Sequence, residues 1–502
     1  MRLFALTIFL LAAATAPAQT VLIRNATIID GSGADRRSGD VRLDSDSIID
    51  VGRLEVLATD HVIDAAGLAL APGFIDTHSH HDRGIFDYPD VTSAVSQGIT
   101  TIVVGNDGSS ELPMTSFREA LSANPTAVNV ASYTGHGTLR FEAMGGDFRR
   151  EATELEVALM QDLLEADMQA GSLGLATGLE YDPGIYSSTD EVIALTSTAA
   201  AHGGRYISHM RSEDRYFHDA VDELLQIGRE TGIPVQISHM KLAAIDIWGK
   251  AEETLARLDE ARAEGIDVTA DVYPHTYWQS TLTVLLPSRD YNDTEEARFV
   301  LEHLAPADGL TLTRYKPNPA FVGLTVADVA DGWEVPNEEA YLKLIRDAYD
   351  GLSDDDLASL GESPESVIGV SMAESDVEQL IAWPHTNVCS DGGREGHPRG
   401  HGAFPRAIRV YVNEKGLMSL EEMIRKMTSL SAAHVGIEGR GRIEAGYAAD
   451  LVLFDPRTIT DNATIENGQA ISDGIVGVWV NGERVWQDAA PTGERPGVFV
   501  GR

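Results

Sequence analysis

The chain has 502 residues, 43% hydrophobic and 23% charged, enough for one large domain with a smaller companion. Its 78 acidic residues against 38 Lys and Arg give a formal net charge of −40, scattered rather than gathered in a tail. A surface that acidic repels phosphate backbones and anionic membranes, which argues against a nucleic-acid partner.

At the amino end, Arg2, the apolar stretch Leu3–Ala16 and the small residues Ala16-Pro17-Ala18 read as an export signal over residues 1–18. The apolar stretch is shorter than the roughly 20 residues a bilayer span needs. No cysteine follows it to take a lipid, so secretion across the inner membrane into the periplasm, without a membrane anchor, is the expectation. The one cysteine, Cys389, rules out an intramolecular disulfide, so the exported fold must stand without one.

Short β-type runs come next, at Val21–Asn25, Gly39–Leu43 and Ser47–Val51, separated by turn residues such as Asp30-Gly31-Ser32-Gly33. Similar runs return at Ala449–Phe454 and Gly477–Gly482. Two β-rich ends around a different middle predict a small β-sandwich built from both termini, residues 19–70 and 436–502.

Between them, over residues 71–435, short apolar strands alternate with amphipathic helical stretches, the pattern of an α/β fold of the (β/α)8, TIM-like type. Strands are expected to end at Asp76, Val104, Ser132, Thr177, Ser208, Ser238, Asp271 and Ser390. Helices are expected over Glu154–Ala170, Glu191–Ala201, His218–Thr231 and Ala251–Ala263. From about 287 to 365 the rhythm breaks, with Pro317, Pro319, Pro336 and a run of acids; an insertion of that length reads as a cap over the active face. The run Val367–Met372 beyond it reads as a further strand.

The chemistry is carried by polar residues at the ends of these strands: His78 and His80, Asp107, His209, His239 and Asp391. A βα barrel gathers such groups at the carboxyl ends of its strands, so the six are expected to converge on a divalent metal. His78 and His80 share a face of one strand end, because side chains alternate with period two. His209 and His239 sit in near-copies, Ile207-Ser208-His209-Met210-Arg211 and Ile237-Ser238-His239-Met240-Lys241. A carboxylate at Asp391, beside a metal-activated water, can take the water's proton and return it to a leaving amine.

Several stretches resemble the amidohydrolase superfamily and, within it, the N-acyl-D-amino-acid deacylases, or D-aminoacylases. They are Pro72–His80, Val95–Gly98, Gly135–Arg140, Thr177–Tyr181, Ile237–Lys241, Ser390–Gly392, His397–Arg399 and Glu444–Asp450. The resemblance implies hydrolysis of N-acyl-D-amino acids to a carboxylate and a free D-amino acid, with one or two zinc ions and a small-molecule substrate. It implies that His209 and His239 hold the tighter metal, and that His78 and His80 form a second site near Asp391. It implies cationic holders of the substrate carboxylate at Lys241 and Arg399, with Tyr181, Tyr273 and Ser280 also at the substrate. Where the well-known deacylases carry a metal-ligating cysteine, this chain has Asp107, a harder ligand that also admits manganese, cobalt or iron. Other superfamily members bridge two metals with a carbamylated lysine, but Leu173–Tyr181 contains none, which leaves Asp107 as the best candidate for the bridge. A dipeptidase or another amide or lactam hydrolase acting on D-residues is the alternative reading. Gly396–Gly402 reads as a mobile loop that brings Arg399 to the substrate on closure. Oligomeric state is left open.

Overall fold

The computed structural model describes residues 20–353, 356–357 and 363–502. The expected export signal therefore lies outside the described residues. No helix among those described is long and apolar enough to cross a membrane.

Eight parallel strands form the centre. Phe74–Asp76, Ile99–Val104 and Asn129–Ser132 pair in that order. The third strand runs on into Thr134–Gly135, which pairs with Gly174–Gly178, and Arg205–His209, Val235–Ile237, Val268–Val272 and Thr386–Val388 follow in turn. A parallel bridge between Ser79 and Gly392 joins the last strand to the first. The Asp391 amide donates to the His78 carbonyl at 2.8 Å and the His80 amide to the Gly392 carbonyl at 2.9 Å, so the barrel is closed. The strands are short apolar runs such as Ile-Thr-Thr-Ile-Val-Val, buried at every position, as a parallel sheet covered on both faces requires.

The helices follow their patterns closely. Phe217–Thr231 buries Phe217, Ala220, Val221, Leu224, Leu225, Ile227 and Gly228, the i, i+3, i+4, i+7 stripe of a one-sided helix, and ends at the left-handed Gly232. Glu154–Gln169 starts at a capping box in which Thr153 and Glu156 satisfy each other's backbone amides.

The two termini share one hydrogen-bonded sheet of nine strands, joined where Ala69–Pro72 pairs antiparallel with Leu451–Phe454. Ile23, Ile28, Val41, Leu43 and Leu70 pack with Leu451, Leu453 and Trp479 in a core of their own. The other face of the same sheet packs Ala71, Val452, Phe454, Val478 and Val480 into the barrel's core.

The inserted unit is wider than the 287–365 expected from its prolines and acids. Its sheet consists of Tyr277–Ser280, Leu310–Tyr315 and Glu365–Val370, all antiparallel, with Glu365–Val370 in the middle. The strand around Val367 thus belongs to the insertion and not to the barrel. Its antiparallel pairing with Tyr277–Ser280 on one side and Leu310–Tyr315 on the other distinguishes the two. The unit is clamped to the barrel's active face by Arg289, which donates to the Asp182 carboxylate at 2.9 Å and to the Glu180 carbonyl at 2.7 Å.

Candidate metal centre and active site

All six of the expected ligands meet above the carboxyl ends of the strands. Donor atoms of His78, His80, Asp107 and Asp391 lie within 4.8 Å of one another, and so do those of Asp107, His209 and His239. Asp107 belongs to both sets. Its Oδ1 is 3.3 Å from His78 Nε2 and 3.2 Å from His239 Nε2, while Oδ2 is 3.2 Å from His80 Nε2. Asp107 thus faces imidazoles of both sets with its two oxygens.

The residues present fit a metal. His78 is fully buried, yet neither ring nitrogen has a hydrogen-bond partner, an arrangement native interiors avoid unless something else satisfies the ring. A set of imidazoles and carboxylates suits zinc and equally manganese, cobalt or iron.

The local backbone is bent to make this arrangement. Asp107, His239 and Asp391 all have positive φ, at 54°, 34° and 47°. Such conformations are uncommon outside glycine and cluster at functional sites, where the surrounding structure enforces them. At His239 the enforcement is visible: its amide donates to the Asp271 carboxylate at 2.6 Å. Asp271 is fully buried at the end of the seventh barrel strand, with its Oδ1 4.0 Å from His78 Nδ1.

The residues carried over for substrate binding are also here. Tyr181 lies against His209, with ring centroids 4.3 Å apart, and the Ser280 hydroxyl is 3.5 Å from the Tyr181 hydroxyl. The Arg399 guanidinium stacks over the Tyr273 ring at 4.5 Å and lies 2.8 Å from Asp391 Oδ2. Lys241 sits 2.6 Å from Glu213 and 2.7 Å from His239 Nδ1.

The expectation of a mobile Gly396–Gly402 loop is corrected. Arg399 opens the helix Arg399–Arg406 and is buried against Asp391 without any closure. His397 holds the turn: its Nδ1 accepts from the Arg399 amide at 2.9 Å, its own amide donates to Gln279 at 2.8 Å, and its Nε2 meets the Tyr277 carbonyl at 2.8 Å. The glycines serve close packing. A Cβ on Gly400 would lie 2.0 Å from the Gly393 carbonyl oxygen, so two segments of backbone touch where side chains cannot fit.

Burial raises the cost of charge throughout the site, and neighbours decide the outcome. Asp391 is held well below the usual carboxylate range because Arg399, then His239, outweigh its burial. Asp107 is likewise held low against burial by His78 and His239. Glu213 is held at about 2 by His209 and Lys241 in spite of burial. Glu180 moves the other way, pushed up by burial and by the nearby carboxylates of Asp214 and Glu213.

Glu180, Glu213 and Asp271 are additions to the site that the residue patterns did not single out. Each sits at or just beyond a strand end, but a lone carboxylate there looks like any solvated acid. Only the fold shows that all three are buried against histidines.

A closed βα barrel carrying buried imidazoles and carboxylates at the carboxyl ends of its strands defines a metal-dependent hydrolase scaffold. The amidohydrolase family matches residues 61–309 and 376–486, and the chain belongs to that family. It is 36% identical to the D-aminoacylase of Alcaligenes xylosoxydans xylosoxydans, over 96% of this chain and 97% of that protein. It is 37% identical to the N-acyl-D-aspartate deacylase of the same organism, over 96% and 95% of the two chains. Among solved structures, the N-acyl-D-glutamate deacylase of Bordetella bronchiseptica, complexed with zinc and a phosphonate mimic of the tetrahedral intermediate, superposes with a TM-score of 0.85. That protein is 34% identical, with 96% of this chain and 99% of that one covered.

Proposed function

We propose that this protein is a zinc-dependent N-acyl-D-amino-acid deacylase, hydrolysing the amide bond to release a carboxylate and a free D-amino acid. The observation that carries the reading is the convergence of two ligand sets on Asp107 beside Asp391 and two buried cations. The relatives that share this chain over nearly its whole length include D-aminoacylase and the N-acyl-D-aspartate deacylase, and the zinc-bound structure supports the metal.

When bound, the metal supplies Lewis acidity, lowering the pKa of a water and polarising the scissile carbonyl. His209, His239 and Asp107 would hold one ion, and His78, His80, Asp107 and Asp391 a second. Asp391, kept ionised by Arg399, takes the water's proton and delivers it to the leaving nitrogen. Arg399 and Lys241 orient the substrate carboxylate, Arg399 through the planar fork that suits two oxygens at once. Tyr181, Tyr273 and Ser280 line the substrate around them.

The test is hydrolysis of paired N-acetyl-D- and N-acetyl-L-amino acids, with metal stripped and restored. Release from the D-series alone, lost on stripping and regained with zinc, is the expected result. Equal release from both series, or release that ignores metal, would overturn the reading. The leader-like residues 1–18 further support a periplasmic location; a cell-fractionated protein whose intact mass includes Met1 would count against it.

A further inference from the structure

We propose that the segment Gly135–Arg140 is a mould for the loop that carries Asp107, and that Thr138 within it is a positioning residue of the metal centre. The metal-dependent reading above underlies this assignment; the identity of the substrate does not enter it. Asp107 is shared by two ligand sets, and no ligand set among the described residues includes a member of 135–140.

The loop cannot hold its own shape. Gly105, Asp107 and Gly108 have φ of 75°, 54° and 79°, so three of four consecutive residues are left-handed. Glycine takes such angles freely and resists other conformations little, while Asp takes them at some cost. Yet a ligand must stay within about 0.5 Å of its place to serve a metal, and Asp107 faces imidazoles with both oxygens. The restraint has to come from outside the loop.

It comes from the ends of the third and fourth barrel strands. A Cβ on Gly135 would lie 2.6 Å from the Gly108 carbonyl oxygen, and one on Gly137 2.8 Å from the same atom. A Cβ on Gly178 would lie 2.3 Å from the Asp107 carbonyl oxygen. Backbone therefore rests directly on backbone at three points, closer than any side chain allows. Hydrogen bonds fix the register of that contact. The Thr138 amide donates to the Gly108 carbonyl at 3.0 Å. The Thr138 hydroxyl donates to the Ser110 carbonyl at 3.1 Å and accepts from the Ser110 amide at 3.0 Å. The Ser110 hydroxyl in turn accepts from the Gly135 amide at 2.9 Å.

The mould is itself anchored from behind. The helix His136–Met144 begins in it, and His136 and Arg140, one turn apart, are both fully buried. Both meet Glu191, in the first turn of the helix Thr189–Ala201. His136 Nε2 is 2.8 Å from Glu191 Oε1, and Arg140 Nη1 donates to the two carboxylate oxygens at 2.6 and 2.5 Å. Arg140 Nη2 goes on to the Phe148 and Arg150 carbonyls at 3.1 and 2.7 Å. Breaking a buried pair of this kind is strongly destabilising, so the helix start is held at Glu191. In Gly-His-Gly-Thr-Leu-Arg the glycines thus admit the loop, Thr138 stitches it, and His136 and Arg140 hold the whole in place.

The experiment measures zinc affinity by competition with a chromophoric chelator, without substrate, alongside the melting temperature of each metal-free protein. Thr138→Val keeps the shape and loses both hydroxyl bonds to Ser110. It is expected to weaken zinc about 10–100-fold, the usual cost of losing a group that holds a ligand in place. Thr138→Ser keeps the hydroxyl and is expected to bind zinc at close to the wild-type level. Ser419→Ala removes the cap of the distant helix Leu420–Met427 and is expected to lower the melting temperature with zinc affinity unchanged. Cobalt loading adds a signature of coordination geometry: the visible spectrum is expected to change in Thr138→Val and to return in Thr138→Ser. Wild-type zinc affinity or a wild-type cobalt spectrum in Thr138→Val would overturn the assignment. So would equal zinc losses in the Val and Ser variants, or an equal loss in Ser419→Ala. Should Thr138→Val fail to fold, Ser110→Ala decides, since it removes the acceptor of the Gly135 amide: weaker zinc binding is expected, and wild-type affinity refutes the mould. None of these readouts involves substrate, so failure of the deacylase reading would leave them intact.

Discussion

Asp391→Asn is expected to fold, to keep the metal held by Asp107, His209 and His239, and to lose about 10²–10⁴-fold in kcat, the usual contribution of a positioned acid–base group. Asn has the same shape and keeps one oxygen for the second ligand set, where Asp391 Oδ1 lies 3.3 Å from His80 and 3.6 Å from His78. It cannot take up and return a proton. The ligand set of Asp107, His209 and His239 does not include Asp391, so that metal does not depend on it. The substrate's own carboxylate can meet the Arg399 guanidinium, so KM is expected to change far less than kcat. Steady-state kinetics with parallel metal analysis checks this. Turnover near wild type in Asp391→Asn would remove the residue from the proton transfer.

The other large effect falls on Asp107. Asp107→Ala removes both oxygens that face His78, His80 and His239, and both ligand sets lose a member. Metal affinity is expected to fall by more than the roughly 10–100-fold that losing an outer-shell partner costs, and activity to fall with it. The residue has φ of 54°, so part of any loss of stability comes from the backbone, about 1–3 kcal/mol for a side chain that tolerates this region poorly. Asp107→Asn separates the two effects, because Asn accepts the conformation but offers no charge. Asp107→Cys tests the departure from the deacylases directly and is expected to bind zinc with a sharper preference over manganese, since thiolate is the softer ligand. Full metal content in Asp107→Ala would refute the bridge.

Much of this protein is legible without its structure. The eight barrel strands stand out because a parallel sheet covered on both faces needs short runs rich in apolar and β-branched residues, and Ile99–Val104 is one of the clearest. The helix Phe217–Thr231 announces itself by its stripe and by Gly232. His78, His80, Asp107, His209, His239 and Asp391 could be picked out because each is polar at the end of an apolar strand, and the barrel architecture gathers strand ends at one place. These are local patterns read from consecutive residues, plus one rule of assembly.

What the tertiary structure decided are the pairings between residues that local pattern cannot connect. Glu180 becomes part of the site because the fourth and fifth strands are neighbours and bring it 2.9 Å from His209. Glu213 is four residues past His209 and 3.7 Å from its Nδ1, yet its shorter contacts are with His239 and Lys241 on the next strand's loop. Arg399 is buried rather than waiting on a mobile loop because His397 reaches back to Tyr277 and Gln279 of the insertion. The insertion's own extent follows from Tyr277 pairing with Val370. Backbone period and turn chemistry are imprinted residue by residue, so the sequence alone determines the elements and the strand-end ligands. Burial and hydrogen-bond partnership depend on which distant segments pack together, so the carboxylates behind the histidines emerge only once the barrel has closed.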